Sequence, residues 1–325
     1  MNQIATAVIL PLTLVILTAT AAWADFKRER TLKLEPGGAF TLDSDIGSVV
    51  LTGGSASGAR VVVTSDHDLD SDFEFTFDES AQAATVKIKR RGSIRRLFGG
   101  SDSGRTRITI EVPMRSNVRL STAGGSVSAS RLTGTLEVRS SGGGLDIEAI
   151  EGNVDGGTSG GSIRMRGVRG NAVANTSGGS IAITDIGGSL RADTSGGGVT
   201  ISSVGGELHA STSGGGVDVR GAGGRVDASS SGGGVTVRFA PGNSNGGVVS
   251  SSGGPVRVEI DPAARVSIDA SASGGSVDSD VPITIQGKVQ NDSLRGEMNG
   301  GGPPLRLRSS GGGVKIGRTT EPAKE

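Results

Sequence analysis

One triplet, Ser-Gly-Gly, returns at a fixed interval and constrains this chain more than any other feature. Its serines are Ser141, Ser159, Ser177, Ser195, Ser213 and Ser231, each 18 residues after the last. A weaker copy begins at Ala123, and later copies begin at Ser252, Ser273 and Ser310 after steps of 21, 21 and 37. Repetition at a fixed short period is the signature of a stacked array, in which each unit buries its apolar face only against its neighbours. The period also decides how the composition is read. With 57 Gly among 325 residues, an aperiodic chain would read as disordered linker. Linkers do not hold apolar columns in register.

The unit Ser195–Thr212, SGGGVTISSVGGELHAST, predicts the local structure. Val199 and Ile201 flank Thr200, and Leu208 and Ala210 flank His209. Apolar–polar alternation means a strand with one buried face. Each unit is therefore two short strands and two Gly-rich corners. Such strands are too short to pair within a unit but can pair with the same strand one unit on, giving parallel ladders at about 4.8 Å per coil. Gly206, repeated in register as Gly152, Gly170, Gly188 and Gly224, is expected at the second corner in a left-handed conformation, which glycine adopts without a Cβ clash. Val199, Val217 and Val235 form one inward column. Ala174, Ala192, Ala210 and Ala228 form another, small enough to let two sheets approach. Thr194 follows Ala192 in alternation, so the Thr158, Thr176, Thr194, Thr212 column is expected to face inward or sit at the corner, which disfavours ice binding. A narrow tube also accounts for the scarcity of aromatics: seven Phe, no Tyr and one Trp, Trp23. The outward columns carry mixed charge, with Asp146 one rung from Arg164, Glu148 from Arg166 and Glu207 from Arg225. They read as a solvated wall. The fold class expected is all-β, a single-chain parallel β-helix with about 18 residues per coil and an irregular β N-terminal cap region.

The chain divides by pattern. Residues 1–24 read as a signal peptide: an uncharged apolar run from Ile4 to Thr20, then Ala22 and Ala24 in a small-residue cleavage pattern. No basic residue precedes the run, which leaves a retained anchor as the alternative. No transmembrane span is expected after cleavage. Residues 25–122 alternate without the 18-residue beat and carry larger side chains, notably Phe73, Phe75 and Phe77. They read as irregular first coils and a cap continuous with the repeats, because an open end would expose unpaired strand groups. Residues 123–318 are the regular coils and 319–325 a disordered tail.

The run IEVPMRSNVRLSTAGGSVSASRLTGTLEVRSSGGGLDI, the reiterated TSGGGV units and the closing NGGGPPLRLRSSGGGVKIG resemble the bacterial adhesin-like β-strand-repeat family of unknown function. That family is related to the head domains of candidate autotransporter adhesins. The resemblance covers nearly all of residues 30 to 318. It implies a parallel β-helix in the cell envelope or outside the cell, and it supplies no catalytic residues. An autotransporter also needs a membrane barrel with aromatic girdles, and the sequence closes instead on GRTTEPAKE.

Little in the sequence points to chemistry. Without Cys, thiolate metal sites and disulfides are excluded. With 33 basic and 33 acidic residues, there is no basic field for nucleic acid. His67 lies in DHDLDSD, and His209 is expected to point outward with Asp227 one rung away, an arrangement short of a triad. The acidic run Asp66, Asp68, Asp70, Asp72, Glu74, Asp78, Glu79 offers a calcium reading, but Phe73 stands where the EF-hand turn needs Gly. The competing reading is a strand that aims its acids outward. No metal and no cofactor are expected.

The most local signal is KRRGSIRRLFGGSDSGR at 89–105, a loop between two strands presenting Arg90, Arg91, Arg95, Arg96 and Phe98. Arginine mixed with apolar residues suits an anionic envelope component or an acidic protein. The bland reading is a hairpin whose apolar residues fold back on the cap while its arginines pair with the acidic strand. The chain is expected to be a non-enzymatic exported cell-envelope protein, adhesin-like or scaffolding, placed in the periplasm, at the surface or outside the cell. The alternatives are a lyase-type polysaccharide enzyme, or an envelope regulatory partner acting through the basic loop.

Overall fold

A computed structural model describes residues 26–55, 57–91, 105–285 and 290–319. Every regular element among them is a strand, and the strands form two sheets, one 14-stranded and one 15-stranded. Parallel pairs dominate both sheets. In the repeats, consecutive strands of one sheet pair residue on residue at a separation of 18, as in Leu145↔Ile163 and Ile163↔Ile181, or Leu190↔Leu208 in the other sheet. Stacking is therefore what the sequence period encodes. The inward columns are buried as the alternation predicts, with Val199 1%, Ile201 0%, Leu208 2% and Ala210 0% exposed.

A third inward column escapes the alternation. Arg131, Ala149, Gly167, Asp185, Ser203 and Gly221 all have φ between +55° and +72°. They sit one per coil in the first sheet. Each left-handed residue makes two successive side chains face out, as Glu148 and Ala149 do, and returns the next one inward. Leu132, Ile150, Val168, Ile186, Val204 and Ala222 are buried in this way. An L-residue in this conformation costs about 1–2 kcal/mol, less the backbone freedom that glycine loses on folding. Ala149→Gly is therefore expected to raise stability by about 0.5–1 kcal/mol, and Gly167→Ala to lower it by a similar amount. Urea midpoints of the two variants check this.

The glycine corners differ from expectation. Gly206 is not among the residues with positive φ, so the left-handed assignment is corrected. Its requirement is steric: a Cβ there would lie 2.8 Å from the carbonyl carbon of Gly188 and the nitrogen of Ser189. The glycine lets one rung's backbone sit directly on the next.

The Thr/Ser column does face inward at the corner, as Ala192–Thr194 alternation requires. Thr122, Ser140, Thr158, Thr176, Thr194, Thr212, Ser230, Ser251 and Ser309 are all buried. Each hydroxyl donates to a glycine carbonyl of the coil stacked before it, at 2.7 to 3.0 Å. Several also accept the amide of the glycine three residues on, as Ser230 does from Gly233 at 2.9 Å. One hydroxyl thus ties two successive corners. Thr194→Val keeps the shape but strands the carbonyl of Gly179, an expected loss of about 1–3 kcal/mol. Thr194→Ser is expected to recover most of it. Thermal melts of the pair check this.

Coil order departs from chain order at both ends. The coil Ala39–Ser44 with Ser48–Gly54 lies inside the later coil Ala83–Arg90 with Arg107–Pro113. Antiparallel strands close this end: Phe26–Leu32 on Ala59–Ser65 at the edge of one sheet, and Phe73–Glu79 on Ala83–Arg90 at the edge of the other. Charged side chains on the edge strand Phe26–Leu32 discourage further pairing. At the opposite end the last coil, Pro304–Ser309 with Val314–Arg318, lies inside Val266–Ala272 with Val277–Ser279.

Candidate functional site

The residues singled out by sequence belong to the N-terminal end. Ala83–Arg90 lies in the 15-stranded sheet and Arg107–Pro113 in the 14-stranded one. These two flanking strands therefore do not pair with each other, so the hairpin reading is corrected. Arg95, Arg96 and Phe98 fall outside the described residues. Arg90 and Arg91 are described and exposed.

Arg90 is committed locally. It is the register partner of Phe73, and its guanidinium carbon lies 4.9 Å from that ring's centroid. Its amide donates to Asp45 at 3.1 Å. The Arg91 amide donates to the carbonyl of Asp72 at 2.7 Å, leaving its side chain to the surface. Lys89 reaches two carboxylates, Asp43 at 2.7 Å and Asp45 at 3.0 Å. The hydrogen bond to Asp43, with Asp45 beside it, raises the Lys89 pKa against partial burial. Burial opposes the charge on Asp45, but the Arg90 amide and Lys89 together hold its carboxyl below the usual range.

Arginine over phenylalanine recurs across this end. The Phe26 and Phe75 rings stack at 5.7 Å. Arg28 lies 5.5 Å from the first and 4.3 Å from the second, and pairs with Asp70 at 2.7 Å. Arg30 lies 5.9 Å from Phe77. Each contact is worth about 0.5–1 kcal/mol at an exposed site. Phe26, Phe73, Phe75 and Phe77 are thus gathered where the tube ends, beside cations, whereas Phe40 and Phe239 are buried within the stack. Sequence reading found the Phe73, Phe75, Phe77 alternation but not its basic partners, because Arg28 and Arg30 are far from it in the chain.

The acidic run is dispersed among separate partners. Asp70 faces Arg28, Asp68 accepts the Asp70 amide at 3.0 Å, and Glu79 accepts the Lys33 amide at 2.6 Å. The outward face of Phe73–Glu79 carries Glu74 and Asp78, as the strand reading expects. Among the described residues no three His, Asp or Glu converge as metal ligands.

Neither histidine has the two-sided contacts of a catalytic imidazole. His67 meets Asp66 at 2.9 Å and Ser65 at 3.3 Å through the same nitrogen, Nδ1. That contact with His67 is the main cause lowering the Asp66 pKa. His209 is in register with Asp227 as expected, but its Nε2 faces Asp193 at 3.3 Å.

The walls carry shallow grooves running across the rungs. One, of about 590 Å³ on the 14-stranded sheet, is lined by Ser126, Asp146, Ser162, Arg164 and Ser180. Another, of about 480 Å³ on the 15-stranded sheet, is lined by Arg139, Asn175, Ser177, Asp193 and Ser195. Of the opposite-charge neighbours expected on the walls, Arg166 and Glu148 approach to 3.6 Å. Arg139 adds a contact across sequence offset, with two hydrogen bonds to the Asp155 carboxylate.

Solved structures resemble the chain at low identity. A candidate cell adhesion protein from Clostridium sporogenes ATCC 15579 is 12% identical, with 90% of this chain and 100% of that chain covered and a TM-score of 0.27. A candidate adhesin from Bacteroides fragilis NCTC 9343 is 12% identical, with coverage of 90% and 96% and a TM-score of 0.40. A candidate lipid-binding protein from Parabacteroides distasonis ATCC 8503 is 13% identical, with coverage of 89% and 96% and a TM-score of 0.45. No curated protein matches the chain. A family match takes in residues 39–317, nearly the whole stack, from the first inserted coil to the last: the chain belongs to the Toastrack DUF4097 family.

Proposed function

We propose that this protein is an exported, non-enzymatic β-solenoid of the cell envelope that binds or scaffolds through its surface, as an adhesin does. The observation that carries the reading is a stack capped by antiparallel strands at three of its four sheet edges. Antiparallel strands occupy the edge of the 14-stranded sheet at the N-terminal end and the edge of the 15-stranded sheet at both ends. The side walls between them repeat the same polar positions rung after rung. A rod built this way offers a long, rigid and chemically regular display. On this reading residues 1–24 direct export, 25–122 cap the rod, 123–318 form its walls and 319–325 are a tail.

The partner proposed is an anionic envelope component or an acidic protein, met by Arg90, Arg91, Arg95, Arg96 and Phe98. Arg91, exposed at the point where the described strand ends, supports this placement.

The test pairs two arms. Purified protein is incubated with a panel of anionic glycans and with envelope extract. Retention without change to the glycans is expected, whereas unsaturated products would identify a lyase instead. In the second arm Arg91, Arg95 and Arg96 are replaced by Ser, leaving the Arg90–Phe73 contact intact. Binding to anionic vesicles and extract should fall, and unaltered binding would remove the loop from the interface.

A further inference from the structure

The groove of about 590 Å³ on the 14-stranded sheet runs along the stack and not along any strand. It crosses six successive rungs, from Arg107–Pro113 and Ser48–Gly54 through Val127–Thr133, Leu145–Glu151 and Ile163–Val168 to Ile181–Ile186. At the strand spacing of a sheet this is a length of about 24 Å. One side of the groove is the corner position just before each strand, where Ser126, Ser162 and Ser180 present exposed hydroxyls and Gly144 leaves a gap. The other side is the first outward position within the strand, where Ser128, Asp146 and Arg164 stand. Ser162 accepts the Ser180 amide at 3.2 Å, which leaves its own O–H free to donate into the groove.

The charges in this groove are not spent on one another. Asp146 and Arg164 are register partners on adjacent rungs, yet among the described residues neither belongs to an ion pair. Two positions along the same strands, Glu148 and Arg166 do approach, to 3.6 Å. On the walls elsewhere Arg139 is held by Asp155 and Arg238 by Glu259. Arg107, exposed at the other end of the groove, also has no carboxylate partner among the described residues. Arg107 and Arg164 are separated by four strand spacings, about 19 Å along the stack. Two guanidinium groups and one carboxylate thus stand along a line of hydroxyls, with a net positive charge.

We propose that this groove holds a single extended chain of an acidic polysaccharide, laid along the stack. The lining excludes the other long ligands. A peptide added as a strand needs a free sheet edge, and each of the six strands is paired on both sides. An amphipathic helix or an acyl chain needs an apolar floor, whereas the side chains here are mainly hydroxyl or charged. Single-stranded nucleic acid needs aromatic platforms, and no aromatic residue lines the groove. A polyhydroxyl chain uses every group present. Its hydroxyls exchange hydrogen bonds with the serines and donate to Asp146, and its carboxylates meet Arg107 and Arg164 as charge-assisted pairs. The rung spacing of about 4.8 Å is close to the length of one pyranose in an extended chain, so successive sugars meet successive rungs. Without a ring to stack on, each rung holds its sugar weakly, and affinity accumulates with length. The inference rests on the reading of the walls as a display surface, and adds what is held and where.

The test is calorimetric titration of the protein with β-1,4-linked oligomannuronates from disaccharide to octasaccharide, beside cello-oligosaccharides of the same lengths. Affinity for the acidic series should climb with each added sugar and level off at about five or six units, the span of the groove. The neutral series should bind more weakly at every length. Arg107→Gln and Arg164→Gln should each weaken the octasaccharide about tenfold. Arg107→Gln should leave the disaccharide that binds near Arg164 unchanged, which a general loss of positive charge would not. Ser128→Leu, which fills the middle of the groove from an exposed position, should abolish binding without moving the melting temperature. Affinity that does not grow beyond the disaccharide, or that survives the double arginine variant, overturns the inference. The triple Arg91, Arg95, Arg96 to Ser variant should bind the oligosaccharides as the parent does. Loss in that variant with the groove variants unaffected would assign the glycan to the basic loop and refute the groove, leaving the display reading intact. Oligosaccharides recovered shorter than they were added would instead overturn the non-enzymatic reading itself.

Discussion

Gly143→Ala is expected to destabilise the protein by about 3 kcal/mol or more, at the upper end of what overpacking costs, because the atom it meets is backbone. A Cβ at Gly143 would stand 2.2 Å from the carbonyl carbon and oxygen of Gly125 and 2.3 Å from the amide of Ser126. No rotamer relieves that contact, and the stack must open by a rung to accommodate it. The neighbouring glycine supplies the control. At Gly142 the nearest atom to an added Cβ is 3.5 Å away, an ordinary contact. Gly142→Ala is therefore expected to leave the melting temperature nearly unchanged, although the two positions are adjacent in the same corner. Equal effects at both would mean that the glycines serve chain flexibility and not the approach of successive rungs.

Truncation after Pro303 is expected to remove far more structure than the residues it deletes. Among the described residues, Val277–Ser279 pairs as a strand only with the terminal coil, and Val266–Ala272 only with that coil and with Ser293–Met298. Without the terminal coil, none of the described strands within 261–303 pairs with the rest of the stack, and the coil ending at Ile260 becomes an open edge. Leu305, Leu307, Val314 and Ile316 also leave the core, each worth about 1.5–3 kcal/mol of burial. Amide exchange should show loss of protection throughout 261–303 with the central coils retained, and the truncated protein should aggregate through its new edge. Protection in 261–303 that survives the truncation would contradict the topology.

Much of the regular stack was legible because its rule is local and repeated. Alternation around Thr200 and His209 marks strands, and the 18-residue step marks their pairing. Thr194 could be placed inward from Ala192 two residues earlier. The column from Leu132 to Ala222 was not legible, since it follows a left-handed residue that breaks the alternation. Gly167, Gly221 and Asp185 are types that accept that conformation, but Arg131, Ala149 and Ser203 in the same column give no hint of it by residue type. Gly206 was legible as a corner but for the wrong reason, because a backbone contact across rungs leaves no trace within one unit. At the candidate site, the charge of the basic segment was plain. The pairing of Arg90 with Phe73, and of Arg28 with Phe26 and Phe75, required strands distant in sequence to be brought to one edge.

By itself the amino-acid order determined that this chain stacks, at what period, and which side chains enter the dry interior, since each unit can satisfy its apolar face and its backbone only against a copy of itself. Tertiary structure alone decided how the stack ends. Where the repeat fails, at 26–113 and 261–318, the competing partners for an open edge are equal in local preference. Which coil lies against which is then settled by the long-range pairing that leaves the fewest strands unpaired.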